Sequence, residues 1–374
     1  MKAGGTVSNY PERKPAEAYT VVLPSKPQPI VIIGAGGIVK DAHLPAYRKA
    51  GFTVWGIVNR TAARAQALAT EYGIPNVYTS LPDAVAGAPA DAVYDLALMP
   101  EQYPAVLDQL PDGAAVLIQK PFGQNLAEAR VLLKICTRKK LVAAVNTQLR
   151  FAPYVAEARK LIAAGAIGEL YDLEIRVATE TPWEIFPHVL GMERLELNMH
   201  SVHYMDLVRS FLGDPDGVSA ATVRNPAKPE VSNTRSTIIM RYRDRPFRVT
   251  ISTNHDHGFG DRFEEAFIKW EGTTGAIRAQ MGLMLDYPRG GPDALDIAYS
   301  DKPELGWQPI PFEGSWFPDA FIGSMSALQR FVERSISELP NSVGDVMNTM
   351  AVVEAGYESQ EREGIPLATK ENTQ

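Results

Sequence analysis

The chain has 374 residues, too many for one ordinary domain, so two are expected. Hydrophobic residues make up 45% and charged residues 22%, the balance of a soluble globular protein, and 37 basic against 44 acidic residues give a formal net charge of −7. That charge argues against nucleic acid or an anionic membrane surface as the main partner. Cys136 is the single cysteine, which rules out an internal disulfide and a cysteine-based metal site and suits a reducing cytoplasm.

Residues 1–28 hold four prolines among Ser, Lys and Glu and read as an extended arm, without a secretory leader. PIVII (29–33) is a β-branched run ending in glycines, the pattern of a buried parallel strand. A helix over 38–51 stops at Gly51, and FTVWGIV (52–58) is a second strand. An Ala-rich helix over 61–73 ends at Gly73. DAVYDLALM (91–99) is a strand that stops at Pro100, with a helix from about Pro104. AAVLIQK (114–120), a helix at 125–140 and LVAAVN (141–146) follow. Strands alternating with helices of this length predict a doubly wound parallel sheet with its site at the strands' carboxyl ends.

After residue 150 the pattern changes. A helix at 152–164 precedes segments at 170–179, 217–224, 234–243, 247–255, 265–272 and 275–282, many alternating apolar and polar. These predict antiparallel strands with one covered face. A strong helix at 195–212 interrupts them, and helices return at 319–338 and 343–361. The fold class is α/β: an arm (1–28), a dinucleotide-type domain (29–149) and an α+β domain (150–374) with an open, mostly antiparallel sheet. The last helix is expected to reach back to the first domain.

Gly34-Ala-Gly36-Gly37-Ile38 follows a strand and opens a helix. The first glycine permits the tight turn, and the second lets backbone approach a pyrophosphate seated on the helix N-terminus. Val39 stands where a third glycine is usual. At the end of the second strand, Asn59-Arg60 replaces the acid that would hold a ribose 2′-hydroxyl, and Arg60 with Arg64 can pair with a 2′-phosphate. NAD(P) is therefore the expected cofactor, with a lean towards NADP. A solvated helix face is the competing account of Arg64.

Lys120, in QKPFG (119–123), sits where a strand meets the cofactor crevice and can donate to a substrate oxygen. Pro100, Asn146 and Arg150 end strands at the same edge; Asn146 and Arg150 suit the nicotinamide ribose, the substrate or a hinge. In ELNMHSVHYMD (196–206), a straight helix puts Glu196, His200 and His203 on one stripe of an otherwise apolar surface. Such a stripe lines a cavity or bonds buried backbone. Histidine suits acid–base work near neutrality. A metal site competes, but HxxH lacks the HExxH pattern and shows no fourth ligand, so no metal is assigned. His255 and His257 are candidates for substrate contact, and Trp183, Tyr287 and Trp316 for an apolar wall. Asp206 suits local structure near His203.

The glycine turn, QKP at 119–121, His203-Tyr-Met-Asp206, VNTQLRFAP (145–153) and LIAAGAIGEL (161–170) together resemble the glucose-fructose oxidoreductase / inositol dehydrogenase / rhizopine-catabolism (Gfo/Idh/MocA) oxidoreductase family. The resemblance covers about 29–365. It implies a Rossmann domain, a second domain whose open sheet often forms an oligomer interface, and hence a homodimer or homotetramer. It implies reversible oxidation of a hydroxyl on a carbohydrate-like substrate, with Lys120 and His203 catalytic. Many members carry an aspartate four residues before that histidine, where this chain has Met199; Glu196 or His200 is expected to take its role. Two alternatives come with the family: transient oxidation that assists glycoside elimination, and a cofactor-sensing regulator.

Overall fold

The computed structural model describes residues 21–362, so residues 1–20 of the expected arm lie outside the described part. Six strands form a fully parallel sheet: β1 (Ile30–Ile33), β2 (Val54–Val58), β3 (Asn76–Tyr78), β4 (Val93–Leu96), β5 (Ala115–Gln119) and β6 (Val142–Asn146). Their order is β3-β2-β1-β4-β5-β6, the doubly wound order of a dinucleotide-binding domain. β1, β4 and β5 are buried at every residue, because helices cover both faces and leave no polar side to alternate with. β3 escapes the sequence pattern because it is only three half-buried residues.

The helices of this half are α1 (Leu44–Ala50), α2 (Ala62–Tyr72), α3 (Leu81–Gly87), α4 (Tyr103–Gln109) and α5 (Leu126–Arg138). α6 (Pro153–Ala163) and α7 (Val202–Leu212) belong to the second half, and α8 (Asp319–Val332) and α9 (Val343–Gln360) close the chain. Both last helices return to the parallel sheet. Phe321, Ile322, Met325 and Leu328 of α8 join Ile30 and Ile32 in one core layer. Val343, Val346 and Met350 of α9 join Val31, Val116 and Val145 on the opposite face. The expected return of the C-terminus is thus made by two helices.

The second sheet has eight strands in the order β14-β13-β12-β11-β7-β10-β9-β8. They are β7 (Leu170–Ala178), β8 (Gly217–Arg224), β9 (Asn233–Tyr242), β10 (Phe247–Asn254), β11 (Glu265–Gly272), β12 (Gly275–Gln280), β13 (Ala294–Tyr299) and β14 (Gln308–Pro309). Only β7 and β10 pair in parallel. β9 alternates buried and open residues along its length, and its inward set packs with α6 and α7. The outer face is open, with Tyr171, Val223 and Ile239 exposed.

One expectation is corrected. The segment 195–212 is not a single straight helix: Glu196–Ser201 is a π-helical turn that leads into α7. A π turn is wider than an α turn, so Glu196 faces Ser201, whose hydroxyl donates to it at 2.7 Å. Glu196 is bonded within the turn to Ser201 and across it to Thr253. A second π turn, Val39–His43, follows the glycine turn and leads into α1.

Candidate active site

The glycine turn lies at the carboxyl end of β1. Gly34 has φ +120°, and a Cβ there would come within 2.3 Å of the Ala97 carbonyl oxygen, so the turn requires glycine. A Cβ on Gly36 would meet nothing within 4 Å, so its backbone faces open space of the kind a pyrophosphate needs. Ile38 precedes the π turn as its N-cap. At the end of β2, the Asn59 amide donates to the Thr61 carbonyl at 2.9 Å, while Arg60 and Arg64 are exposed. Pro100 is buried and opens a short turn after β4.

Lys120 follows β5, and its Nζ donates to the Met199 carbonyl at 2.8 Å, tying the parallel sheet to the π turn. Burial lowers its pKa to about 8. The Tyr103 hydroxyl braces this strand end by donating to Gln119 O at 2.7 Å and Leu98 O at 3.0 Å. Asn198 anchors the π turn from the other side, donating to Gln124 O at 3.1 Å. The Met199 side chain packs with Trp183, Val189, Leu195 and Val231, so the position of the familial aspartate is apolar here.

His200 and His203 stand near Lys120. Burial holds both well below the usual imidazole pKa; the neighbouring charges of His255, Lys120 and His203 lower His200 further, and Lys120 lowers His203. Both rings are therefore neutral at pH 7. The Nδ1 atoms of both are buried without a partner. Trp316 meets His203 edge-to-face at 5.7 Å, and Trp183 meets His200 at 5.7 Å. At the end of β6, Asn146 is fully buried, and its amide nitrogen and oxygen both lack partners. A native buried amide is almost always bonded; this one fits a nucleotide that would complete it. The open Gly36, the orphaned Asn146 and the Lys120 ammonium together suit a nicotinamide dinucleotide.

The structure does not bring every expected residue to this centre. Arg150 spends its guanidinium on Asp206, on Asp345 at 2.6 Å and on Pro340 O at 2.5 Å, which corrects its expected contact with substrate or ribose. Asp206 pairs with Arg150 and accepts from Thr349 at 2.8 Å. The His257 ring meets Phe259 edge-to-face at 5.7 Å, and Tyr287 packs on Phe186 at 5.5 Å. His255 is fully buried, and its ring centroid lies 4.4 Å from that of His200. Among the described residues, no group of three or more His, Cys, Asp or Glu could hold a metal ion. Sequence reasoning missed Tyr103, Asn198 and Thr253, whose partners lie in other elements, and Ser201, whose bond to Glu196 depends on the π turn.

Comparison with known proteins fits this geometry. Residues 29–147 match the model of the oxidoreductase family with an NAD-binding Rossmann fold, and residues 155–278 match the GFO/IDH/MocA C-terminal domain. The chain belongs to the Gfo/Idh/MocA family. Like other members, it is an oxidoreductase with an NAD-binding Rossmann domain. It is 25% identical over 346 residues to D-apiose dehydrogenase of Paraburkholderia graminis, covering 91% of this chain and 89% of that one. It is 27% identical over 253 residues to 1,5-anhydro-D-fructose reductase of Ensifer adhaerens, covering 66% and 74%. The fold is shared with an Agrobacterium radiobacter oxidoreductase solved with NAD+, L-tartaric acid and magnesium (TM-score 0.73, 21% identity, 90% and 97% covered). It is also shared with levoglucosan dehydrogenase solved with NADH and levoglucosan (TM-score 0.72, 19% identity, 90% and 98% covered).

Proposed function

We propose that this Gfo/Idh/MocA member is a dehydrogenase for a hydroxyl of a sugar, cyclitol or related polyol, with Lys120 and His203 as its acid–base pair. The reading rests on one observation: a buried lysine of lowered pKa faces two neutral histidines with unpartnered nitrogens, beside an open glycine turn. The bound nicotinamide would supply the hydride acceptor. Gly34, Gly36 and Gly37 would hold its pyrophosphate, and Asn146 its ribose or amide. Lys120, protonated below about pH 8, would hydrogen-bond the reacting oxygen and stabilise its developing negative charge. Neutral His203 would take the hydroxyl proton on oxidation and return it on reduction. Trp183 and Trp316 wall the space around the histidines and suit the apolar faces of a sugar. Arg60, exposed where an acid would repel a 2′-phosphate, favours NADP. We place the protein in the cytoplasm as a homodimer or homotetramer.

Relatives and neighbours named for D-apiose, D-xylose, 1,5-anhydro-D-fructose and levoglucosan support a carbohydrate-like substrate. The test is absorbance at the reduced-nicotinamide band. NAD and NADP are supplied separately, with D-apiose, D-xylose, levoglucosan, myo-inositol and reduction of 1,5-anhydro-D-fructose as the panel. Turnover is expected with at least one, and kcat/KM for oxidation should fall above about pH 8 as Lys120 loses its proton. Tight cofactor binding without turnover across the panel refutes the assignment.

A further inference from the structure

The buried carboxylate nearest the histidines belongs to Glu196, and it does not meet His203. Its Oε1 accepts from Ser201 at 2.7 Å and Thr253 at 2.8 Å. That oxygen also lies 3.7 Å from His255 Nε2. Both His255 Nε2 and Glu196 Oε2 are buried and otherwise unpartnered. Two such orphans side by side are costly apart and favourable together. At 3.7 Å the two groups are in charge–dipole contact, short of a hydrogen bond, and a proton on Nε2 leaves Nδ1 to accept from Thr181 Oγ1, which stands 3.4 Å away. The His255 ring is then fixed at both edges. Its backbone is also held: its N–H donates to Thr234 O at 3.1 Å, and its carbonyl accepts from Thr181 N at 3.0 Å.

Against this fixed ring lies His200, with centroids 4.4 Å apart and planes tilted by 35°. Trp183 packs on both rings and is itself locked by donating to Asp256 Oδ1 at 2.8 Å. His200 thus has its faces set by neighbours while its Nδ1 remains without a partner. His200 belongs to the π turn and His203 to the first turn of α7, and the Nδ1 of each is buried without a partner.

We propose that Glu196 and His255 are a positioning pair that sets the orientation of His200, and that the unpartnered Nδ1 of His200 receives a second hydroxyl of the substrate. This rests on the dehydrogenase reading above. It also explains how the site works with Met199 in place of a carboxylate: the acid enters from Glu196, through an imidazole on the second sheet.

The test needs no known substrate. Ring 15N signals of histidine-labelled protein are recorded with and without added NADP at pH 7. Glu196→Gln should shift the ring signals of both His255 and His200, while His43, buried in the first domain, stays put and reports an intact fold. His255→Gln, which keeps a neutral donor and acceptor, should shift His200 in the same way. A His200 indifferent to both variants overturns the proposal. For any panel compound turned over, Glu196→Gln should raise KM about tenfold with a much smaller change in kcat, the mark of lost uniform binding. A loss confined to kcat also overturns it. Lys120→Ala separates the two readings: if it keeps full turnover, the assignment of Lys120 as the acid–base partner fails. If it is inactive and His200 ignores Glu196, only the present inference fails.

Discussion

Lys120 should cost the protein stability in return for its chemistry, and the cost can be measured. Burial lowers its pKa from 10.5 to about 8. The folded state therefore disfavours the ammonium, and the cost is complete below pH 8, where both folded and unfolded chains carry the proton. As pH rises from 8 to 10.5 the unfolded chain alone stays protonated, so stability recovers across that window. The pKa difference, at about 1.4 kcal/mol per pH unit, corresponds to roughly 3 kcal/mol at pH 7 and under about 1 kcal/mol at pH 10. Lys120→Met removes the charge, keeps the stem's length and gives up one hydrogen bond to Met199. That loss is worth about 1 kcal/mol. The variant should therefore be about 2 kcal/mol more stable than the parent at pH 7, with the gain gone by pH 10. Urea denaturation at the two pH values reads this directly. A variant less stable than the parent at pH 7, or a gap that does not close by pH 10, refutes the claim that Lys120 is held under electrostatic strain.

The two glycines of the turn should behave differently. Gly34→Ala forces a side chain into φ +120° against Ala97 O, and should cost about 2 kcal/mol or more of stability by urea denaturation. Gly36→Ala meets nothing in the protein, so its stability should stay within about 0.5 kcal/mol of the parent; cofactor affinity, read by fluorescence titration, should nonetheless fall at least tenfold. Arg150→Ala leaves Asp206, 1% exposed, without its cation, and should cost about 3–5 kcal/mol by denaturation. Its folded fraction should retain the parent KM, since Arg150 is a brace. Arg60→Glu should raise KM for NADP at least tenfold and leave that for NAD nearly unchanged, read from initial rates.

How much could be read beforehand follows from how local each signal is. β1, β4 and β5 announce themselves because strands buried on both faces are continuous apolar runs. The glycine turn is equally local, since φ +120° at Gly34 leaves few alternatives to glycine. β3 and β14, with three and two residues, carry too little pattern to be seen. The site was half legible. Lys120 and His203 follow from a strand end and a motif, and the structure brings both to one centre. Arg150, just past a strand end, reads as a ribose or substrate contact or as a hinge; its partner Asp345 lies 195 residues away.

The sequence by itself determined the α/β plan and the glycine turn after the first strand, because each depends on a pattern within one or two neighbouring elements, and it singled out Lys120 and His203 through their resemblance to a family motif. Tertiary structure decided which carboxylate meets which imidazole. Three-residue and four-residue spacings describe a regular α-helix, and the π turn at Glu196–Ser201 breaks that register. Glu196 consequently faces Thr253 and His255 on the second sheet, a pairing across nearly sixty residues that no local pattern encodes.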